Sequence, residues 1–279
     1  MLASPMAPEH RISKESAFRN RLKENTVALY ELPIDFWQRV LDPGMHFHLG
    51  HFPNLHTSFE ESMRLAVERL ASRIPGGTAT TILDVGCGWG GPAFELSRLW
   101  HAEVLGLTIS HRQAAFVNSR AGEEGAPVRS EVRDVDGFDF SGIGAFDVLW
   151  LYDSFDHMIN RQQLFCSLHN ATRHGSCLAM ATHCLAPGVS RQLYSEFMGI
   201  QPIQTVAELT AMLEDAGWQI SQIEDCTQLT LPVWRYWIRN LGALSQYPQA
   251  KRLATALART EESYRAGMLR CIQLTARPL

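Results

Sequence analysis

The stretch from Ile82 to Gly91 constrains the fold of this chain more than any other. An apolar run ends in Asp84, and four glycines follow within six positions: Gly86, Gly88, Gly90 and Gly91. A helical pattern of Phe94, Leu96, Leu99 and Trp100 comes next. Apolar run, glycine turn, helix is the form of a strand that delivers a binding loop to the carboxyl edge of a parallel sheet. Only residues without a Cβ let a backbone turn that tightly and approach a ligand that closely.

The flanking segments alternate in the same sense. A strand over 103–108 leads to a helix over 111–122 and a strand near 128–132. A strand over 146–152 precedes a helix near 161–173, and a strand over 177–184 follows it. Thr205 and Glu208 have capping-box spacing and open a helix that ends at Ala216-Gly217, before a strand near 218–227 and a last strand over 272–276. Runs that are apolar throughout predict strands covered by helices on both faces, hence an α/β fold around a mostly parallel sheet. Ahead of the sheet lie helices over 16–30 and 34–41, a histidine- and aromatic-rich loop over 45–53, and a helix opened by the capping box of Ser58 and Glu61. We divide the chain into an N-terminal helical segment with its loop (1–57) and a main domain (58–279) whose cap falls around 188–204 and 228–265. A hydrophobic content of 46% is enough for a large core, and a net charge of −4 argues against binding to nucleic acid. Neither a membrane span of roughly 20 apolar residues nor a signal-peptide pattern is read from the sequence, and six scattered cysteines fit reduced thiols in the cytoplasm.

The loop narrows its own ligand. Dinucleotide enzymes place an acid about 20 residues beyond the first glycine, whereas here the acid is Asp84, ahead of the glycines, and Thr108 ends the second strand. No lysine follows the glycines as a phosphate loop requires. An acid at a strand end suits a ligand bearing an ammonium group. At this point Asp84-Val85-Gly86-Cys87-Gly88-Trp89-Gly90-Gly91 resembles the first motif of class I S-adenosylmethionine-dependent methyltransferases, in the branch of cyclopropane-fatty-acid synthases, sterol and tocopherol methyltransferases and natural-product methyltransferases. Val104 to Gln113 is similar to a second motif of that branch. Phe146 to Met158 is similar to a third, with Asp153 and Asp156 where the family has glutamates. The resemblance covers roughly 45–279 and implies a seven-stranded Rossmann-like methyltransferase fold. It implies S-adenosyl-L-methionine as cofactor, held by Asp84, Gly86, Cys87, Gly88, Gly90, Thr108, Gln113, Asp134 and Val135.

Methyl transfer from a sulfonium requires the acceptor atom in line with the S–CH3 bond, so much of the catalysis is positioning. His157, just past the fourth strand and beside Asp156, is the first candidate base, since an imidazole titrates near neutrality. His48 and His51 are candidate contacts to the reacting groups; their spacing with His46 lacks the companion ligands of a metal site. The acceptor pocket is expected to draw on Phe47, Tyr152, Phe155, His183, Phe197, Trp234 and Trp237, with Phe36, Trp37, Phe52, Tyr194 and Tyr236 as further aromatics. Each of these taken alone is ordinary core material. Arg191, Arg235 and Arg239 are candidates for an anionic group on the acceptor. The resulting expectation is methylation of a small, largely apolar or aromatic metabolite at carbon, oxygen or nitrogen, as in natural-product biosynthesis, with a slight lean toward carbon. A cyclase that keeps its methyl and a cyclopropane-lipid synthase are the rivals. Small molecules are the expected partners, with no membrane association, and homo-oligomerisation is left open.

Overall fold

In the computed structural model, seven strands form one sheet in the order β3-β2-β1-β4-β5-β7-β6. The structure describes residues 14–189, 193, 195 and 197–279. The strands are β1 (Thr81–Val85), β2 (Glu103–Thr108), β3 (Val128–Val132), β4 (Phe146–Tyr152), β5 (Thr172–Leu185), β6 (Trp218–Asp225) and β7 (Leu269–Pro278). Only β7 runs antiparallel, between β5 and β6. The chain winds outward in one direction from β1 and in the other from β4, and the crevice outside the carboxyl ends of these two neighbours is where such sheets bind ligands. The glycine loop leaves β1 at that point, and the His157 segment leaves β4 opposite it.

Helices α3 (Phe59–Ala71), α4 (Gly91–Trp100) and α5 (His111–Glu124) cover one face of the sheet; α6 (Arg161–Leu168) and α7 (Val206–Asp215) cover the other. Both predicted capping boxes are formed, Ser58 with Glu61 and Thr205 with Glu208. Two boundaries move. The helix expected near 161–173 ends at Leu168; after a single 3-10 turn, β5 begins at Thr172. The polar start Thr172-Arg173-His174-Gly175 had concealed that strand. β7 likewise extends past the expected 272–276 to Leu269 and Pro278, where Arg270 and Arg277 interrupt the apolar pattern.

A third core lies above the carboxyl edge. It joins α2 (Ile34–Val40) and the loop after it to α9 (Val233–Gly242) and α10 (Pro248–Arg265), which follow the short helix α8 (Thr227–Thr230). Phe36, Trp37, Trp89, Trp234, Trp237 and Tyr264 are among its large buried side chains. The first helix, α1 (Lys14–Tyr30), buries only Leu22, Thr26 and Leu29. It is fastened across the same edge mainly by polar contacts, described below.

Candidate active site

Backbone turning at the end of β1 shapes the first chamber. Gly86 has φ 86°, and a Cβ there would fall on the side chain of Ser154, whose hydroxyl donates to Val85 O (2.6 Å). The Gly86 and Cys87 amides donate back to Leu107 O on β2, which holds the loop against the sheet (2.8 and 2.9 Å). Asp84 is 2% exposed, its Oδ2 has no hydrogen-bond partner, and burial pushes its carboxyl up to about 8. Beyond β2 the Thr108 hydroxyl donates to Gln113 Oε1 (2.6 Å), which leaves Gln113 Nε2 buried and unpartnered. Unmatched buried donors and acceptors cost stability, and a site built to receive a polar ligand is where they belong. Asp84, Gly86, Cys87, Gly88, Thr108, Gln113, Asp134 and Val135 all line this chamber, with Trp89 beside them. Gly90 does not: Phe94 and Val117 pack directly over it, and its left-handed φ of 84° serves the start of α4.

α1 roofs the chamber. Lys23 Nζ donates to Asp134 Oδ1 (2.5 Å) and Asp136 Oδ2 (2.7 Å), and Glu31 accepts from the Ser110 hydroxyl (2.7 Å). His157 is gripped on both sides, with Nε2 3.2 Å from Tyr30 OH and Nδ1 3.3 Å from Thr26 Oγ1. Burial holds its ring below the usual histidine range, although Asp156 opposes this. Both nitrogens are thus already committed to α1. The spacing Lys23, Thr26, Tyr30 places these side chains along one helix face, a polar stripe that a search for apolar periodicity overlooks. Lys23→Ala should loosen this roof: we expect α1 amides to exchange hydrogen faster and stability to fall by on the order of 1 kcal/mol, the scale of a partly exposed ion pair.

A second chamber adjoins the first and shares Tyr30, Phe47, His48, Asp153 and His157 with it. Leu49, Met198, Trp234, Trp237 and Leu257 supply its apolar walls, and Asp156 and His183 reach it from the sheet side. Asp156 is spoken for, accepting from the Thr182 hydroxyl (3.1 Å) and the His183 amide (3.3 Å). His183 Nδ1 lies 2.5 Å from Tyr264 OH. A wider groove continues outward past His183, Ile200 and Thr260, and Phe197 lines this groove with Arg252 stacked over its ring. Tyr152 faces the first chamber and packs on His48.

Besides Gly90, several expected site residues lie elsewhere. Phe155 lines neither chamber; it is fully buried against Phe165 beneath the sheet edge. His51 also lies behind the walls. Its amide donates to Ser62 O, neither ring nitrogen has a partner, and burial, with Arg69 and Arg73 nearby, pushes its ring down to about 3. Phe36 packs on Trp37 and Tyr247 and Phe52 stacks on Tyr236, so Phe36, Trp37, Phe52 and Tyr236 belong to the third core and line neither chamber. The guanidinium groups of Arg235 and Arg239 lie over the Tyr236 ring rather than at a chamber. Arg191 and Tyr194 fall outside the described residues. Sequence reasoning noted Asp153 as a departure from the family's motif without giving it a role, and it passed over Lys23 and Tyr30. For Asp153 a signal existed: like Asp84, it is an acid directly at the end of a buried strand.

A family model described as mycolic acid cyclopropane synthetase matches residues 18–274. The chain belongs to that family. It is an S-adenosylmethionine-dependent methyltransferase by that membership and by its relatives. The 27-O-demethylrifamycin SV methyltransferase of Amycolatopsis mediterranei is 26% identical over 245 residues, covering 84% of this chain and 90% of the relative. The O-methyltransferase resE of Aspergillus sclerotiorum is 25% identical over 227 residues, covering 77% and 85%. Among solved structures, a cyclopropane synthase of Mycobacterium tuberculosis superposes with a TM-score of 0.81 at 21% identity, covering 91% of this methyltransferase and 97% of that chain. The cyclase SpnF gives 0.77 at 21%, covering 92% and 96%. At those identities the likeness speaks for the fold, and it agrees with the seven-stranded, mostly parallel sheet. Among the described residues, no helix of the methyltransferase is long and apolar enough to cross a membrane.

Proposed function

We propose that this enzyme methylates a small, largely apolar or aromatic metabolite in natural-product biosynthesis. The observation that carries the reading is the pair of chambers that meet at Tyr30, Phe47, His48, Asp153 and His157. One has the polar fittings for the cofactor; the other has walls that suit an apolar acceptor. In this reading Asp84 receives the ammonium of the methionine moiety, Gln113 and Thr108 hold the ribose, and Asp134 and Val135 border the adenine. The unpartnered Asp84 Oδ2 and Gln113 Nε2 support those roles. Bound S-adenosylmethionine supplies an electrophilic methyl. The chain's own contribution is to hold the acceptor against it and to exclude water beneath α1. A relative named as a methyltransferase of 27-O-demethylrifamycin SV, and another named as an O-methyltransferase, support the substrate class.

The test incubates the purified enzyme with S-adenosylmethionine and a panel of aromatic and macrocyclic hydroxy compounds, followed by mass analysis. The expected product is heavier by one CH2, with one S-adenosylhomocysteine formed per product. A product of unchanged mass, with the cofactor intact, would overturn methyl transfer in favour of cyclisation.

A further inference from the structure

Five side chains stand where the chambers meet, and four of them are poorly suited to take a proton. Phe47 has no basic atom. The Tyr30 hydroxyl lies against His157 Nε2, and burial and Asp153 both hold the phenol protonated. His157 has a hydroxyl at each nitrogen. His48 directs Nδ1 at Leu49 O (3.3 Å), and although its Nε2 is also buried without a partner, its protonated form is opposed first by burial and then by His46. Asp153 differs. Its Oδ2 accepts from the Leu49 amide (2.8 Å), which fixes the carboxyl, while Oδ1 is buried with no partner. Its backbone sits in the left-handed region at φ 51° and is anchored by its own amide donating to Ala181 O (2.9 Å). A strained, anchored residue that lines both chambers and keeps one oxygen unpartnered is a group held for use. Taking a proton there removes a buried charge instead of creating one.

We propose that Asp153 is the general base of this enzyme and that the acceptor atom is a hydroxyl oxygen. The inference rests on the methyl-transfer reading above and adds the base and the acceptor class to it. As the acceptor oxygen forms its bond to the methyl carbon, the S–C bond breaks and its electron pair goes to sulfur. The O–H bond breaks and the proton passes to Asp153 Oδ1. Charge balances: a sulfonium and a carboxylate become a thioether and a carboxylic acid, with no further reactant. Burial places the Asp153 carboxyl at about 6, so the base is ionised at neutral pH and methyl transfer falls as pH drops through that value. The titratable groups facing it are Tyr30 of α1, His48, Tyr152 of β4, Asp156 and His157 of the following turn, His183 of β5, Tyr264 of α10 and Cys271 of β7.

Binding of β-naphthol and of umbelliferone, each against its own methyl ether, tests the assignment in the presence of S-adenosylhomocysteine. The wild type should bind each phenol about tenfold more tightly than its ether, the scale of a hydrogen bond to a charged group. Asp153→Asn keeps the shape, tolerates the left-handed backbone and can still accept from Leu49 N–H, but presents an amide in place of the base. It should lose the preference, keep S-adenosylhomocysteine affinity within about twofold, and methylate the phenols at least 100-fold more slowly. Asp153→Glu should recover part of the rate. An Asn variant that keeps both preference and rate would overturn Asp153 as the base and leave methyl transfer standing. A wild type that methylates carbon or nitrogen probes but no phenol would overturn the hydroxyl acceptor. Failure of all four probes to bind would overturn the acceptor chamber, and the base with it.

Discussion

Asp84→Ala should weaken S-adenosylhomocysteine binding by two to three orders of magnitude while leaving the fold standing. A buried ammonium deprived of its carboxylate costs about 3–5 kcal/mol, and each 1.4 kcal/mol is a factor of ten. The free protein loses nothing comparable, because Oδ2 has no partner there. The pH dependence follows from the carboxyl's position at about 8, above its ordinary value. Its folded form favours the neutral acid, so its contribution to stability is complete below the unfolded pKa and is lost as pH rises through about 8. Removing the acid should therefore flatten the decline in melting temperature between the ordinary carboxylate value, roughly 4, and about 8. Pairing with an ammonium requires the ionised form, so cofactor binding at pH 7 should release about one proton. Calorimetry in buffers of different ionisation enthalpy would show this in the wild type and not in Asp84→Ala. Unchanged affinity in the variant would remove Asp84 from the cofactor site.

Gly199→Ala carries the second large effect, although Gly199 touches neither chamber wall through a side chain. Its φ is +70°, and a Cβ there would collide with Thr26 Oγ1 and with the α1 backbone at Leu22 O and Thr26 N. The Thr26 hydroxyl also lies 3.3 Å from Gly199 O, so glycine lets the turn and helix touch backbone to backbone. The methyl group must push α1 off the carboxyl edge, taking Lys23, Thr26 and Tyr30 with it. We expect methyl transfer to fall by about two orders of magnitude and α1 amides to lose hydrogen-exchange protection while the sheet keeps its own. Gly188→Ala is the control. It has φ +80° with nothing within 4 Å of a Cβ, so it carries backbone strain of about 1 kcal/mol without the collision. Equal effects from the two substitutions would dismiss the collision as the cause.

What the chain disclosed in advance follows from how far each signal reaches along it. β1, its glycine loop and the Thr108–Gln113 turn are local: strand, turn and helix start lie within a few residues, and each imposes a composition on its own stretch. The sheet was legible for the same reason, because buried parallel strands are apolar throughout. What was not legible depends on packing between distant segments. Nothing in Met45 to Pro53 distinguishes His48, at a chamber wall, from His51, buried behind it; the difference is made by α3 on one side and by Tyr152 on the other. Phe155 and Asp153 lie two residues apart, and the turn after β4 sends one into the core and the other to the chambers. His157 stands where a base was expected, but its partners come from a helix more than a hundred residues earlier. The polar face of α1 has no hydrophobic period to betray it, since it seals a site instead of filling a core.

The groove past His183 has a kinetic consequence. The first chamber lies under a roof of polar fastenings, whereas the second, proposed above for the acceptor, opens sideways along α10, between His183, Ile200 and Thr260. The groove is lined by α10 and not by α1, so an acceptor need not cross the roof and neither ligand must wait for the other to leave. Steady-state kinetics should then show random-order addition, with S-adenosylhomocysteine competing against the cofactor but not trapping a methylated product behind it. An enzyme drained in this way can accept acceptors longer than its inner chamber, their far ends resting in the groove while the reacting end is inside.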